Sequence, residues 1–212
     1  SNVFNPALTG RAFLFLSFPA AMGAMWLEPK SIMPVDAISS ATTLSHLKAG
    51  TFVFEDNTLL QFFLGNRAGC IGETSILLIL ISFIFLSVTR IIDWRAPFAM
   101  VITVFAGTFL ANLGDGLSAA SLQGLFSLMT GGVAFGATFM VTDYATAPVT
   151  KKGRLVFGFG CGLITFLIRE FGGYPEGVMF SILVMNSIVP FLNNLTSRMY
   201  GYAKTKKQGR KS

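Results

Sequence analysis

Polar side chains able to do chemistry are few in this sequence, and they occur in two settings. One is a run of mostly small residues, Asp36-Ala37-Ile38-Ser39-Ser40-Ala41-Thr42, which strings hydroxyls along the backbone. Runs of Ser, Thr and Ala of this kind are common in polar loops. Thr43 adds one more hydroxyl next to Thr42. The other setting is the border of long apolar runs. Glu73 and Thr74 precede one run, Asp143 closes another, and Arg169 with Glu170 ends a third. Ionisable groups at membrane depth mark functional positions by default. A carboxylate at a helix N-terminus, such as Glu73, gains from the helix dipole, whereas Asp143 at a C-terminus is opposed by it. Asp143 is therefore expected to have a partner, with Lys151, Lys152 or a polar ligand as candidates.

Most ordinary catalytic constellations are excluded. There is one histidine, His46, so histidine-rich metal sites and His pairs are ruled out. The two cysteines, Cys70 and Cys161, are far apart and fit no metal-ligand spacing, so no metal site is assigned. No Walker loop, GxSxG elbow or CxxC pair occurs. Redox or group-transfer chemistry would then belong to a bound cofactor.

The elements that must position these residues are hydrophobic helices. Of 212 residues 52% are hydrophobic and 12% charged, with mean hydropathy +0.64. Soluble domains carry roughly 25% charged residues, so this chain lacks the polar side chains to cover a water-facing surface. Six apolar stretches, about 7–26, 75–92, 96–112, 122–142, 155–171 and 177–196, approach the roughly 20 residues that cross a bilayer. The reading is an all-α integral membrane protein, a bundle of about six transmembrane helices with a long outer loop. Residues 1–26 form the first helix, 27–74 the outer loop, 75–197 a five-helix bundle and 198–212 a basic tail. Within the loop, Asp56-Asn57-Thr58 is expected to cap a short interfacial helix over LLQFFLG. Pro19 and Pro190 should kink their helices. Gly132 with Gly136, and Gly158 with Gly162, are spaced for close helix packing.

Basic residues set the orientation. Placing Arg11, the links with Arg90 and Arg95 and with Lys151, Lys152 and Arg154, and the tail on one side gives twelve basic residues there against four elsewhere. That side is expected to be the cytoplasm, which puts residues 27–74 outside. Six of the sixteen basic residues lie in the tail, as suits anionic headgroups, so nucleic acid is set aside as a partner. The chain begins at Ser1 with no basic, apolar leader, which reads as a fragment or processed product.

The run from Asp36 to Thr42 resembles the D-G/A-x-S-G-A-T flavinylation motif of the NqrB/RnfD family of membrane subunits. The resemblance implies that Thr42 carries FMN through a phosphoester attached by a dedicated flavin transferase. Asp36, Ser39, Ser40 and Ala41 would complete the attachment motif. Flanking blocks resemble the family in the same order: NVFNPALTGRAFLFLSFP, GNRAGCIGETS, GGVAFGATFMVTDYATAPVTKKGRLVFG and LIREFGGYPEGVMFSILVMNSIVPFLN. FGGYPEGV and the closing TSRMYGYAK are more similar to RnfD than to NqrB. Ser40 stands where the family has Gly, and Thr43 where RnfD often has Pro. Family members carry further helices upstream, so the chain resembles their C-terminal part.

The family implies an electron-transfer subunit of an Rnf-type complex, coupling ferredoxin and NAD+ redox chemistry to Na+ or H+ translocation. Its setting would be the plasma membrane of a bacterium or archaeon, among other Rnf- or Nqr-type subunits. Glu73, Thr74 and Asp143 lie in the matching GETS and TD blocks and are carried over as further cofactor-binding candidates. A second, noncovalent flavin is left open. The alternatives are an NqrB-type subunit of an NADH:quinone reductase, a flavin-free channel or transporter, and a scaffold.

Overall fold

A computed structural model of the chain describes residues 2–19, 22, 26–27, 39–40, 58–65, 72–172 and 177–197. Those residues are helical or in connecting turns, apart from one two-residue ladder. Helix α1 spans Pro6–Ser17. Asn5 caps it, its Oδ1 accepting from the amides of Ala7 at 3.0 Å and Leu8 at 3.3 Å, with proline at the first helical position as expected. Pro19 disfavours helical backbone at the residue before it, and Phe18 leaves the helix at φ −133°, ψ 60°. The stretch read as one helix over 7–26 therefore breaks after 12 residues.

The ladder joins β1, Trp26–Leu27, to β2, Ser39–Ser40, antiparallel, with Trp26 opposite Ser40 and Leu27 opposite Ser39. Asp36, Ala41 and Thr42 lie outside the described residues. The short helix expected over LLQFFLG is α2, Thr58–Leu64. Its proposed caps Asp56 and Asn57 are outside the described residues.

The remaining helices form the bundle: α3 Ile76–Val88, α4 Arg95–Ala111, α5 Leu117–Met129, α6 Val133–Phe135, α7 Lys151–Phe171 and α8 Val178–Ser197. Helix α6 runs directly into a wide π-type turn, Gly136–Met140. The sequence predicts a continuous span over 122–142, and here the structure differs. The chain bends by 62° between Leu117–Met129 and Val133–Met140. Thr130 is extended at φ −95°, ψ 147°, and Gly131 takes φ +62°, a region that side chains resist. Gly132 thus caps the start of α6 against Glu73, while Gly136 lies against Val178 of α8, so the two glycines meet different neighbours.

Gly158 and Gly162 behave as their spacing predicts. A Cβ on Gly158 would collide with the Ala96 carbonyl, and one on Gly162 would stand 2.7 Å from the Met100 carbonyl oxygen. Helices α4 and α7 therefore meet backbone to backbone, around Met100, Val104, Phe157 and Cys161, all at most 1% exposed. Hydroxyls bridge α7 to α8, where Thr165 donates to Ser181 at 2.8 Å. Large apolar side chains also cover the outside, among them Leu78, Phe85, Val88 and Phe171. Among the described residues, Val178–Thr196 is long and apolar enough to cross a membrane, and the bent pair makes a second such segment if counted as one. Helices α3 and α4 are apolar but shorter. Helical architecture with an apolar exterior is consistent with a membrane protein.

Candidate functional site

The break between α5 and α6 gathers charge. A helix C-terminus presents unpaired carbonyls and a partial negative charge, and an N-terminus the reverse. Arg169, near the end of α7, donates from Nη1 to the Ser127 carbonyl at 2.6 Å and from Nη2 to the Thr130 carbonyl at 3.1 Å. A cation thus closes the C-terminal end of α5. On the other side of the break the Glu73 carboxylate lies against Gly132, where a Cβ would stand 3.2 Å from its Oε1. Glycine is what lets the carboxylate approach the start of α6. Glu73 is 6% exposed and pairs with Arg11 of α1 at 3.6 Å. Anion at the N-terminal half and cation at the C-terminal half is the arrangement by which broken membrane helices hold ions and polar ligands.

Two expectations are corrected here. Glu73 lies ahead of α3, whose cap is Ser75, the side chain accepting from the Leu78 amide at 3.4 Å. Its charge is answered by Arg11 as well as by helix ends. Arg11 and Arg169, counted as residues flanking the spans, instead serve the bundle itself. Taking one from each side of the twelve-to-four count leaves eleven against three, so the bias survives.

Asp143 sits two residues past Val141 in the α6–α7 link. Its Oδ2 accepts from Thr146 Oγ1 at 2.8 Å and from Asn5 Nδ2 at 3.3 Å. Asn5 therefore caps α1 with its oxygen and ties that helix start to Asp143 with its amide nitrogen. The expected partner exists, but it is this hydroxyl and amide rather than Lys151 or Lys152.

Sequence reasoning missed a second carboxylate. Asp93, in the α3–α4 link, is held by Arg154 at 2.8 Å and by Arg95 at 3.0 Å, with the Arg95 amide on its Oδ1 at 3.0 Å. Burial works against its ionisation, but the Arg95 amide and the Arg154 and Arg95 side chains outweigh it and hold the carboxyl below its ordinary range. Arg154 also donates from Nε to the Pro148 carbonyl at 2.9 Å. The only signal in the sequence is charge at the ends of two links between apolar stretches, which orientation counting treats as interchangeable.

The structure does not bring these sites and the hydroxyl run together in the described residues. Ser39 and Ser40 enter through their backbone ladder alone. Phe62 and Phe63 are the aromatic residues of α2 closest in sequence to the run. Phe62 is buried edge-on against Phe126, ring centroids 5.4 Å apart, so it anchors α2 to α5. That leaves half-buried Phe63 as the ring of α2 able to meet a ligand.

Comparison with known proteins adds family evidence. The model of the NQR2, RnfD, RnfE family matches residues 1–201. The chain is 40% identical over 211 residues to the D subunit of the Na(+)-translocating ferredoxin:NAD(+) oxidoreductase complex of Acetobacterium woodii, covering 99% of this chain and 62% of that one. It is 39% identical over 227 residues to the D subunit of the ion-translocating oxidoreductase complex of Stutzerimonas stutzeri, covering 94% and 64%. It is 40% identical over 208 residues to the D subunit of the proton-translocating ferredoxin:NAD(+) oxidoreductase complex of Clostridium ljungdahlii, covering 92% and 60%. The chain thus spans somewhat under two thirds of the length of these relatives.

Proposed function

This chain belongs to the NQR2, RnfD, RnfE family, and from that premise we propose that it is an electron-transfer subunit of an Rnf-type complex. The observation that carries the reading is the match to the Acetobacterium woodii protein over 99% of the chain. The complex would move electrons between ferredoxin and NAD+ and couple them to ion translocation across a plasma membrane. Its partners would be the other membrane subunits of such a complex. One relative is named for sodium and another for protons at the same 40% identity, so the coupling ion is Na+ or H+.

The proposed redox group is FMN on Thr42. Two features support the fit. The motif's serines lie in an extended two-stranded ladder, and backbone of that kind with small residues can be gripped by a modifying enzyme. Ser39, Ser40 and Ala41 also add little bulk beside the acceptor hydroxyl. The Thr42 oxygen would form a bond to the flavin phosphorus of an activated donor while the departing substituent takes up the hydroxyl proton. The phosphate so anchored stays anionic, and Lys48 or Arg67 of the same loop would partner it. The flavin, once bound, supplies the electron-carrying chemistry that no side chain of this sequence offers.

The chain's own contribution is then positional and electrostatic. The ladder would bring the motif to the end of the first helical segment, and α2 is fixed to the bundle through Phe62. At the α5–α6 break, Glu73, Arg11 and Arg169 set opposed charges on two half-helices that would respond to charge moving nearby. Thr42→Ala tests the proposal: flavin fluorescence on a denaturing gel should vanish while membrane insertion persists. Fluorescence retained in that variant would place the flavin elsewhere, and its absence from the native chain would remove the flavin from the account.

A further inference from the structure

A cleft of about 830 Å³ opens where the α3–α4 link, the α6–α7 link and the start of α7 meet. We propose that it binds the phosphate headgroup of an anionic phospholipid, whose acyl chains run along the outer face of α3. Four basic side chains line it, Arg90, Arg95, Lys151 and Arg154, against two acids, Asp93 and Asp143. The acids are already answered within the chain. Asp93 is bonded by Arg95 and Arg154, and Asp143 by Thr146 and Asn5. Arg90 and Lys151 have no acidic partner among the described residues. The cleft therefore keeps a positive excess suited to one phosphodiester. Its size is that of ordinary ligand pockets.

Two further observations choose a lipid over a soluble anion. Leu78, Ile81, Phe85 and Val88 are spaced to share a face of α3, and all four are exposed, 63%, 54%, 63% and 76%. That apolar strip runs directly to Arg90 at the cleft. Trp94, 49% exposed, and Tyr144, 74% exposed, border the same cleft, as aromatic residues do at headgroup depth. Apolar strip, aromatic border and basic floor follow in the order of acyl chain, interface and phosphate. Basic pockets between membrane helices on the cytoplasmic side recognise such headgroups, and this cleft lies among the links read as cytoplasmic.

The test uses the membrane-extracted protein with its co-purifying subunits and a photoactivatable phosphatidylglycerol, with phosphatidylcholine as the zwitterionic control. Phosphatidylglycerol should label peptides holding residues 88–95 or 141–154 well above phosphatidylcholine. The Arg90→Gln/Lys151→Gln pair should weaken that labelling by more than tenfold, since each basic residue near an anionic surface is worth roughly a fivefold factor. Lys152→Gln, a neighbour that does not line the cleft, should leave it unchanged. Labelling elsewhere on the chain shows in the same sample that each variant is folded and inserted. With label at the cleft, four results would overturn the proposal: equal labelling by both lipids, labelling that survives the double variant, an equal loss from Lys152→Gln, or complete displacement by millimolar inorganic phosphate. The last would assign the cleft to a soluble anion. Label absent from the cleft but present elsewhere would mean that a protein partner covers it, which also overturns the lipid assignment.

Discussion

The α5–α6 break and the Asp93 cluster each set a carboxylate among two arginines, yet they are built on different principles. At Asp93 the charges answer one another side chain to side chain, at 2.8 and 3.0 Å, and the backbone helices on either side are intact. At the break, Arg169 commits its guanidinium to main-chain carbonyls of Ser127 and Thr130, while Glu73 faces the glycine that starts the next half-helix. Removing a charge from the first site breaks a staple between two links. Removing one from the second leaves the ends of helices unsatisfied in an apolar setting. The difference teaches that equal charge counts can hold a fold in two ways: one ties side chain to side chain between two links, and the other ties side chain to the backbone ends of a broken helix.

Arg169→Met should have the largest effect, because it strips two carbonyls of their cation at once. A loss of about 2–4 kcal/mol is expected, from hydrogen bonds to a charged group and the cost of burying their acceptors alone. Thermal unfolding in detergent reads this, and a change within error would show that the break needs no cation. Asp93→Asn should cost less, about 1–3 kcal/mol, leaving Arg95 and Arg154 facing each other. The pH dependence has a definite sign. Because the folded carboxyl titrates below its ordinary value of 3.8, its contribution is fully present above that pH and fades as pH falls through the lowered value. The Asn variant should therefore lose stability relative to the native chain near neutrality and converge with it in strong acid. A gap that stays constant down to low pH would detach Asp93 from the arginines.

Asn186 should show the smallest change. Its side chain is fully buried in α8, and neither amide atom has a hydrogen-bond partner among the described residues. Pro190 also lacks the amide that would bond the Asn186 carbonyl. Replacing an unsatisfied polar group by an apolar one of similar shape costs little, so Asn186→Leu should stay within about 1 kcal/mol of the native chain. Lost electron transfer at unchanged stability would mark Asn186 as functional, whereas a large loss of stability would contradict this assignment.

Much of this molecule is legible in its sequence. The capping of α1 by Asn5 and Pro6, the break before Pro19, the short helix α2 and the close approach at Gly158 and Gly162 all follow from local rules. So does family membership, carried by blocks in the right order. What could not be read lies in pairings between distant segments. Nothing at Arg169 shows that it will meet carbonyls of Ser127 and Thr130, and nothing at Arg154 points to Asp93. Thr130-Gly131-Gly132 is visible as a glycine pair, but spacing alone favours helix packing over a bend. Asp143 stands out for the right reason, an unfavourable helix end, and its partner was misassigned because a hydroxyl three residues on is as available as a lysine. The hydroxyl run is a different case, since the proposed attachment of a group by another enzyme would leave only a recognition motif in the sequence.

The central claim is tested most directly by mass spectrometry of the chain produced together with a matching flavin transferase. The account predicts an intact mass raised by one FMN residue, located by fragmentation on the peptide from Asp36 to Lys48 and absent after Thr42→Ala but retained after Thr43→Ala. An unmodified peptide in the presence of the transferase, or the same added mass on the Thr42→Ala chain, would contradict it.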